Sequence, residues 1–351
     1  MSQSTPIRVA ITGYGVIGKR VADAVLAQDD MVLAGVADVA ADWRLRALEA
    51  KNIALYDASP DRANSMDKAG LAIAGTFEDL LGKSDVVVDC TPKKVAARNA
   101  EIYRSRGLKF IVHGGEKHEV AGHSFVAESS FDGAIGRTAT RVVSCNTTSI
   151  VRTLTALKNA GLLKQARGTL LRRATDPWES HLGGIMNTLV PEPEIPSHQG
   201  PDARSVDPEL DVVTMAVKVP QTLAHLHYWT VQLTRAATKE EVLDAFRRSS
   251  RIMLIRTTDG LTALNTVKEL MADYGRPHDN LYEVALWEDM LKVEGQELFY
   301  AYMVDNQAIV IPDTIDAIRA LTGLSSDARI SIMKTDKSLG IGSPFWRPVA
   351  K

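Results

Sequence analysis

Only two cysteines occur in this chain of 351 residues, and one of them has surroundings that suit chemistry. Cys145 lies in "VVSCNTTS", residues 142–149, between a β-branched run and a pair of threonines. A thiol attacks as its thiolate, and a helix start lowers a thiol pKa. Backbone N–H groups at such a turn can also stabilise an oxyanion. Ile150, Leu154 and Leu157 form a stripe that predicts a helix opening here, with Asn146, Thr147 and Thr148 able to cap it. The other reading of Cys145 is a small buried hydrophobe. Cys90 closes the apolar run "SDVVVDCTP", has nothing paired with it as a base, and reads as structural.

A nucleophilic thiol usually has a base. In "VKVPQTLAHLHYWTVQL", residues 217–233, strand alternation puts Leu223, His225, His227, Trp229 and Val231 on one face. Either histidine is a candidate base, and a core histidine bonded to backbone is the alternative. A metal pair lacks a nearby Cys or acid to complete the ligand set, so no metal is expected. Residues 170–203 hold Arg172-Arg173 and later Ser197-His198-Gln199-Gly200-Pro201-Asp202. Their proline and glycine density predicts a loop. Arginine beside histidine there suits a phosphate, and a solvated basic pair is the alternative.

The elements that must position these groups begin with a dinucleotide site. The apolar run Ile7–Ile11 reads as a buried parallel strand. Gly13, Gly15 and Gly18 follow as G-x-G-x-x-G, with Tyr14, Val16 and Ile17 between them, and Val21, Ala24 and Val25 continue at helical spacing. Strand, glycine turn and helix are the context the motif requires. The next strand, 31–40, brings in Asp38, twenty residues after Gly18. An acid there can accept ribose hydroxyls and repel a 2′-phosphate, so NAD is expected over NADP, with Arg44 and Arg46 near enough to soften the preference. Thr91 and Pro92 end the 84–92 strand where a cofactor would lie. Further elements are read as a helix over 93–107 and strands over 109–115 and 141–145.

Composition narrows the classes. Forty-one basic residues stand against 43 acidic ones, with no long basic run, which argues against a nucleic-acid partner. No stretch is apolar enough to span a membrane, the N-terminus does not read as a signal peptide, and two cysteines suit a reducing cytoplasm.

Taken together, "GYGVIGKRVADAV", "HGGEK", "VVSCNTTSIVRTL", "RRATDP", "NTLVPEPEIPSHQGPD", "VKVPQTLAHLH", "LYEVALWED", "IPDTIDAIRAL" and "KTDKSLGI" resemble the archaeal-type phosphorylating glyceraldehyde-3-phosphate dehydrogenase family nearly end to end. The resemblance implies an α/β chain: a Rossmann-type dinucleotide-binding domain over 1–144, completed by a C-terminal helix within 311–351, and an α+β catalytic domain with a mixed sheet over 145–310. It implies Cys145 as nucleophile and His225 as base, with His227 in reserve. Ser144, Asn146, Thr147, Arg172, Arg173, His198 and Gln199 would bind substrate or inorganic phosphate. Gly13 to Gly18, Thr91, Pro92 and Gly114 would hold the nicotinamide cofactor, and Asp38, from its own position after the second strand, would favour NAD, with NADP possible. A small phosphorylated aldehyde would become an acyl phosphate through a thioester on Cys145, in a cytoplasmic homotetramer. The chain departs from the family pattern at Asp38, Lys93-Lys94, His113, Ser149 and Gln199. These departures raise two further readings: the same chemistry on another anionic aldehyde, such as a phosphonate or a different sugar phosphate, or a cofactor-sensing protein that has lost catalysis.

Overall fold

The computed structural model describes residues 5–59, 65–182, 185 and 187–342. The described residues of Met1–Val143 and Ile311–Leu339 form one compact unit, and those of Ser144–Val310 and Gly340–Lys351 form another.

The first unit is a sheet of eight strands: β1 (Ile7–Thr12), β2 (Met31–Asp38), β3 (Leu55–Asp57), β4 (Ile73–Thr76), β5 (Val86–Asp89), β6 (Lys109–His113), β7 (Ser124–Phe125) and β8 (Ala139–Val142). Their order is β4-β3-β2-β1-β5-β6-β8-β7 and every pairing is parallel. A parallel sheet covered on both faces wants continuous apolar strands, and Val9–Ile11 and Val86–Val88 are fully buried. The chain runs outward in both directions from β1, toward β2 on one side and β5 on the other. That reversal makes the crevice at the strands' carboxyl ends in which such folds bind ligands. The expected strands and the 93–107 helix, found at Val95–Ser105, are all present.

The end of the chain differs from the expectation of one helix within 311–351. There are two, Ile311–Thr322 and Ala328–Leu339. Gly323 follows the first with φ 77°, a left-handed conformation that ends helices and that glycine adopts without cost. Residues 343–351 lie outside the described residues. The first of these helices is buried nearly along its length, and Arg319 is its most demanding side chain. Arg319 donates to Asp30 Oδ2 at 2.8 Å, to Gln28 Oε1 at 2.6 Å and to Thr335 Oγ1.

The second unit holds β9 (Leu163–Arg173), β10 (Val190–Pro191), β11 (Val212–Val219), β12 (His225–Leu233), β13 (Ile252–Ile255), β14 (Val284–Trp287), β15 (Lys292–Glu294) and β16 (Glu297–Val304). They run in the order β10-β11-β9-β12-β16-β14-β13, with β15 paired to β16. The β9–β11 and β13–β14 pairs are parallel and the others antiparallel, so the sheet is mixed, as expected. The segment 217–233 is two strands rather than one, because Pro220 supplies no N–H to a ladder. The helix Cys145–Asn159 packs on this sheet through Ile150, Val151, Leu154 and Leu157. Buried Arg152 fixes it further by donating to the carbonyls of Tyr282 (2.8 Å) and Ile309 (3.0 Å).

Replacing Arg319 by leucine takes the guanidinium partner from the half-buried Asp30 carboxylate, which keeps Lys334, and leaves Gln28 and Thr335 without their donor. The expected cost is about 3–5 kcal/mol in urea unfolding. Burial pushes the Asp30 carboxyl up, but its bonds to Arg319 and Lys334 outweigh this and hold it below its ordinary value. The stabilisation is therefore present at neutral pH and fades as pH falls through about 4 and below, so the gap between wild type and variant should narrow there.

Candidate active site

The turn from β8 into the helix Cys145–Asn159 places the thiol. Ser144 is the N-cap, and its hydroxyl accepts from the Thr147 amide at 3.4 Å. The cap is thus Ser144, not the expected Asn146 or the threonines, because those residues already have helical positions. Cys145 is the first helical residue. On the facing strand, β12 buries His225, His227, Trp229 and Val231 together, as its alternation predicts. His225 Nε2 stands 3.5 Å from Cys145 Sγ.

The tautomer of His225 follows from its other nitrogen. Arg173 N–H donates to Nδ1 at 3.0 Å, so Nδ1 is bare and the proton of the neutral ring sits on Nε2, facing sulfur. Burial, then the neighbouring His227 and the charges of Arg173 and Arg172, hold the His225 pKa well below its ordinary value, so the ring is neutral. At rest this geometry turns a proton, rather than a lone pair, toward sulfur. A ring whose Nδ1 lone pair is engaged and whose Nε2 carries a proton donates to sulfur and does not accept from it. The expected low thiol pKa is corrected. Arg173, the Asn146 amide and Arg172 all pull it down, but burial is larger and pushes it up to about 11. A helix start alone does not offset the loss of water.

Arg172 and Arg173 sit at the end of β9, not in the loop the proline density suggested. Both charges act on the thiol. Arg173 is held by Asp176 and the Thr222 carbonyl. Glu192 joins Arg172 to His198: one carboxylate oxygen accepts from Arg172 at 2.9 Å and the other meets His198 Nδ1 at 2.7 Å. His198 is exposed and precedes a short helix, Gln199–Arg204. Arg172 and His198 are therefore brought together through an acid that sequence reasoning did not single out, although it stands in the quoted "PEPEIPSH".

The side chains of two expected anion ligands, Thr147 and Gln199, are interior. Thr147 is fully buried and its single hydroxyl proton goes to Asp202 at 2.6 Å. Gln199 is fully buried, and among the described residues neither polar atom of its side chain has a partner. It presents no polar surface to a bound anion. Ser149 is likewise interior, its hydroxyl donating to the Asn146 carbonyl at 2.8 Å. His113 has an interior Nε2, and burial lowers its pKa to about 4. Ser149 and Gln199 are thus interior, where they alter packing rather than a binding surface.

In the first unit the glycine turn has the shape the motif demands. Gly13 has φ 88°, and a Cβ there would stand 3.1 Å from the Cys90 carbonyl. A Cβ on Gly18 would lie 1.9 Å from Gly13 O. Cys90 packs beneath this turn, in keeping with a structural role. Gly15 is the N-cap of the helix Val16–Leu26 and no side chain caps that end, which suits a pyrophosphate. The Tyr14 ring is buried, so only its backbone serves the turn. The Tyr14 N–H donates to Asp38 Oδ2 at 2.6 Å, while Val39 and Ala40 N–H groups donate to Oδ1. Asp38 therefore braces the turn as well as lying beside it. Thr91 is bonded to Asp89, Pro92 follows it, and Gly114 lies in the turn after β6. Among the described residues, no group of three or more His, Cys, Asp or Glu could hold a metal ion. No described helix is long and apolar enough to cross a membrane.

Residues 144–289 match the family model for the glyceraldehyde 3-phosphate dehydrogenase C-terminal domain, and residues 7–119 match that for the dihydrodipicolinate reductase N-terminus. The chain is 44% identical to a glyceraldehyde-3-phosphate dehydrogenase of Methanobrevibacter smithii over 95% of its own length and 99% of the relative's. It is 45% identical to the enzyme of that name from Archaeoglobus fulgidus, over 97% and 99%. A third, from Metallosphaera sedula, is 42% identical over 97% and 99%. The chain belongs to the glyceraldehyde-3-phosphate dehydrogenase family. Its members are oxidoreductases that use a nicotinamide cofactor, and the glycine turn fits that cofactor.

A thiol pushed up to about 11 labels slowly at neutral pH. Iodoacetamide labelling of Cys145 in the ligand-free protein should rise close to tenfold per pH unit between pH 7 and 10, since only the thiolate reacts. Cys90 is pushed well above 9 by its own burial and by Asp89, so it should label more slowly throughout. A Cys145 rate already flat above pH 7 would contradict the burial argument.

Proposed function

We propose that this chain is an NAD(P)-dependent phosphorylating dehydrogenase of glyceraldehyde 3-phosphate, with Cys145 as nucleophile. The observation that carries the reading is the Cys145–His225 pair at a capped helix start, within the field of Arg172 and Arg173. Cys145 loses its proton to water. The thiolate then attacks the aldehyde carbon, forming the C–S bond, and the carbonyl pair moves onto oxygen. His225 Nε2–H donates to that oxygen and stabilises its charge. A nicotinamide cofactor held at the Gly13–Gly18 turn would supply the acceptor for the hydride of the adduct carbon, whose loss with re-formation of the carbonyl leaves a thioester on Cys145. A phosphate oxygen then attacks the thioester. The C–S bond breaks and the thiolate returns to the His225 donor. Arg172, Arg173 and His198 supply the cationic and donor groups that the two phosphates require, with Ser144 and Asn146 beside the thiol.

Because Ser149 and Gln199 are buried, the alternative substrates that these departures prompted lose their support. A phosphonate or another sugar phosphate has no altered contact in its favour, and a sensor would not need the paired thiol. A reducing cytoplasm is the setting we propose, since the chemistry needs a free thiol. We also propose a homo-oligomer, a tetramer by family resemblance. Met215, Val217, Leu171, Leu226 and Tyr228 share one face of the second unit's sheet by strand register, and Met215 and Tyr228 are 45% and 43% exposed. Light scattering should find a multiple of the 38.2 kDa chain, and Tyr228→Glu should shift it toward smaller species. A wild-type monomer would contradict this.

The cofactor choice rests on two groups. Asp38 favours NAD through its carboxylate. The Arg44 Nη1 lies 4.0 Å from where a Gly15 Cβ would be, close enough to the turn to attract the extra phosphate of NADP. NAD should be preferred by roughly 10-fold, one charge-assisted hydrogen bond offset in part by an arginine. Asp38→Ala should reduce the kcat/KM ratio of NAD to NADP, and Arg44→Ala should raise it. A ratio unmoved by either substitution would show that neither group reads the ribose.

Turnover should need inorganic phosphate and vanish in Cys145→Ser. His225→Ala should lose roughly 10²–10³ in kcat, the worth of one oxyanion donor. His225→Gln, which keeps an N–H but no basicity, should lose less. Equal losses in the two variants would return His225 to the role of base.

A further inference from the structure

Asn146, the neighbour of Cys145, is only 4% exposed, and its carboxamide is held from behind. Its Oδ1 lies 2.9 Å from His227 Nε2. His227 Nδ1 lies 3.0 Å from the Tyr302 hydroxyl. That hydroxyl is 3.3 Å from Ser149 Oγ, which in turn donates to the Asn146 backbone carbonyl. His227, Tyr302 and Ser149 are fully buried. Burial and the Arg172 charge bring the His227 pKa to about 3, so the ring is neutral.

Donor counting gives this chain a direction. A carboxamide oxygen only accepts, so His227 carries its proton on Nε2. Nδ1 is then bare and takes the single hydroxyl proton of Tyr302 at 3.0 Å, in preference to Ser149 Oγ, which lies farther from that hydroxyl at 3.3 Å. With Oδ1 bound to His227, the planar carboxamide has one orientation left for its two N–H donors. The arrangement would be costly if it were only packing, because a leucine in place of His227 would need no partners at all.

We propose that His227 and Tyr302 are positioning residues that aim the Asn146 carboxamide donors at the oxygen borne by the carbon attached to Cys145. This assignment rests on the reading of Cys145 as nucleophile. It gives the second histidine of "HLH" a task distinct from that of His225: His225 touches the thiol, and His227 acts through Asn146.

The test is a mutant cycle on the full-length protein, read as kcat and KM for glyceraldehyde 3-phosphate and as the iodoacetamide labelling rate of Cys145. Tyr302→Phe keeps the ring packing and should lower kcat roughly 10-fold, and His227→Leu by up to the roughly 10²-fold worth of the Asn146 donor itself. Both should leave Cys145 labelling unchanged. His227→Gln, which offers one donor and one acceptor, should recover most of the loss. In an Asn146→Ala background, His227→Leu should cost nothing further. If His227→Leu does not fold, Tyr302→Phe in the Asn146→Ala background carries the same comparison. Additive losses, or no recovery with glutamine, overturn the proposal while the enzyme reading stands. A wild type inactive toward every aldehyde overturns both.

Discussion

One backbone hydrogen bond orders the site: the Arg173 amide to His225 Nδ1. It exists because β9 and β12 are neighbours in the mixed sheet, with Leu226 opposite Leu171. The strand that brings the two arginines toward the thiol therefore also decides which histidine nitrogen carries a proton. Without that bond the ring could present a lone pair to Cys145. With it, the ring presents an N–H. Charge and hydrogen bonding are thus set by the same strand pairing, and the chemistry proposed for Cys145 inherits both.

The site's electrostatics are a contest that burial wins in the ligand-free protein. Two guanidinium groups and a helix start favour the thiolate, yet the thiol is pushed up to about 11. The neutral thiol and neutral imidazole form a resting pair in which sulfur accepts from Nε2–H. Such a pair protects the thiol from oxidation until substrate arrives, because the thiolate is the reactive form. The same low-dielectric setting makes each donor near the adduct oxygen worth more than it would be in water.

Much of this was legible in the residues. The glycine turn, its strand and its helix are local features, and the clash awaiting a Gly18 side chain against Gly13 O explains the spacing. The alternation in β12 placed His225 and His227 on one buried face. What the sequence could not carry were long-range partners. Whether His225 accepts or donates depends on an amide fifty-two positions away. Thr147 reads as an anion ligand by motif, yet Asp202 takes its proton. Gln199 and Ser149 look like changes in a binding surface when seen as letters in a motif, and they turn out to face the interior. The family resemblance implied one C-terminal helix within 311–351, and the turn at Gly323, where φ is 77°, divides that segment into two.

The central claim is covalent, so the most direct measurement is covalent. The protein is mixed with glyceraldehyde 3-phosphate and NAD in the absence of inorganic phosphate, quenched in acid and digested, and its cysteine peptides are weighed. The account predicts an acyl group on the Cys145 peptide, formed together with one equivalent of NADH and lost when phosphate is added. NADH formed with Cys145 unmodified, or an acyl group carried on Cys90 instead, would contradict it.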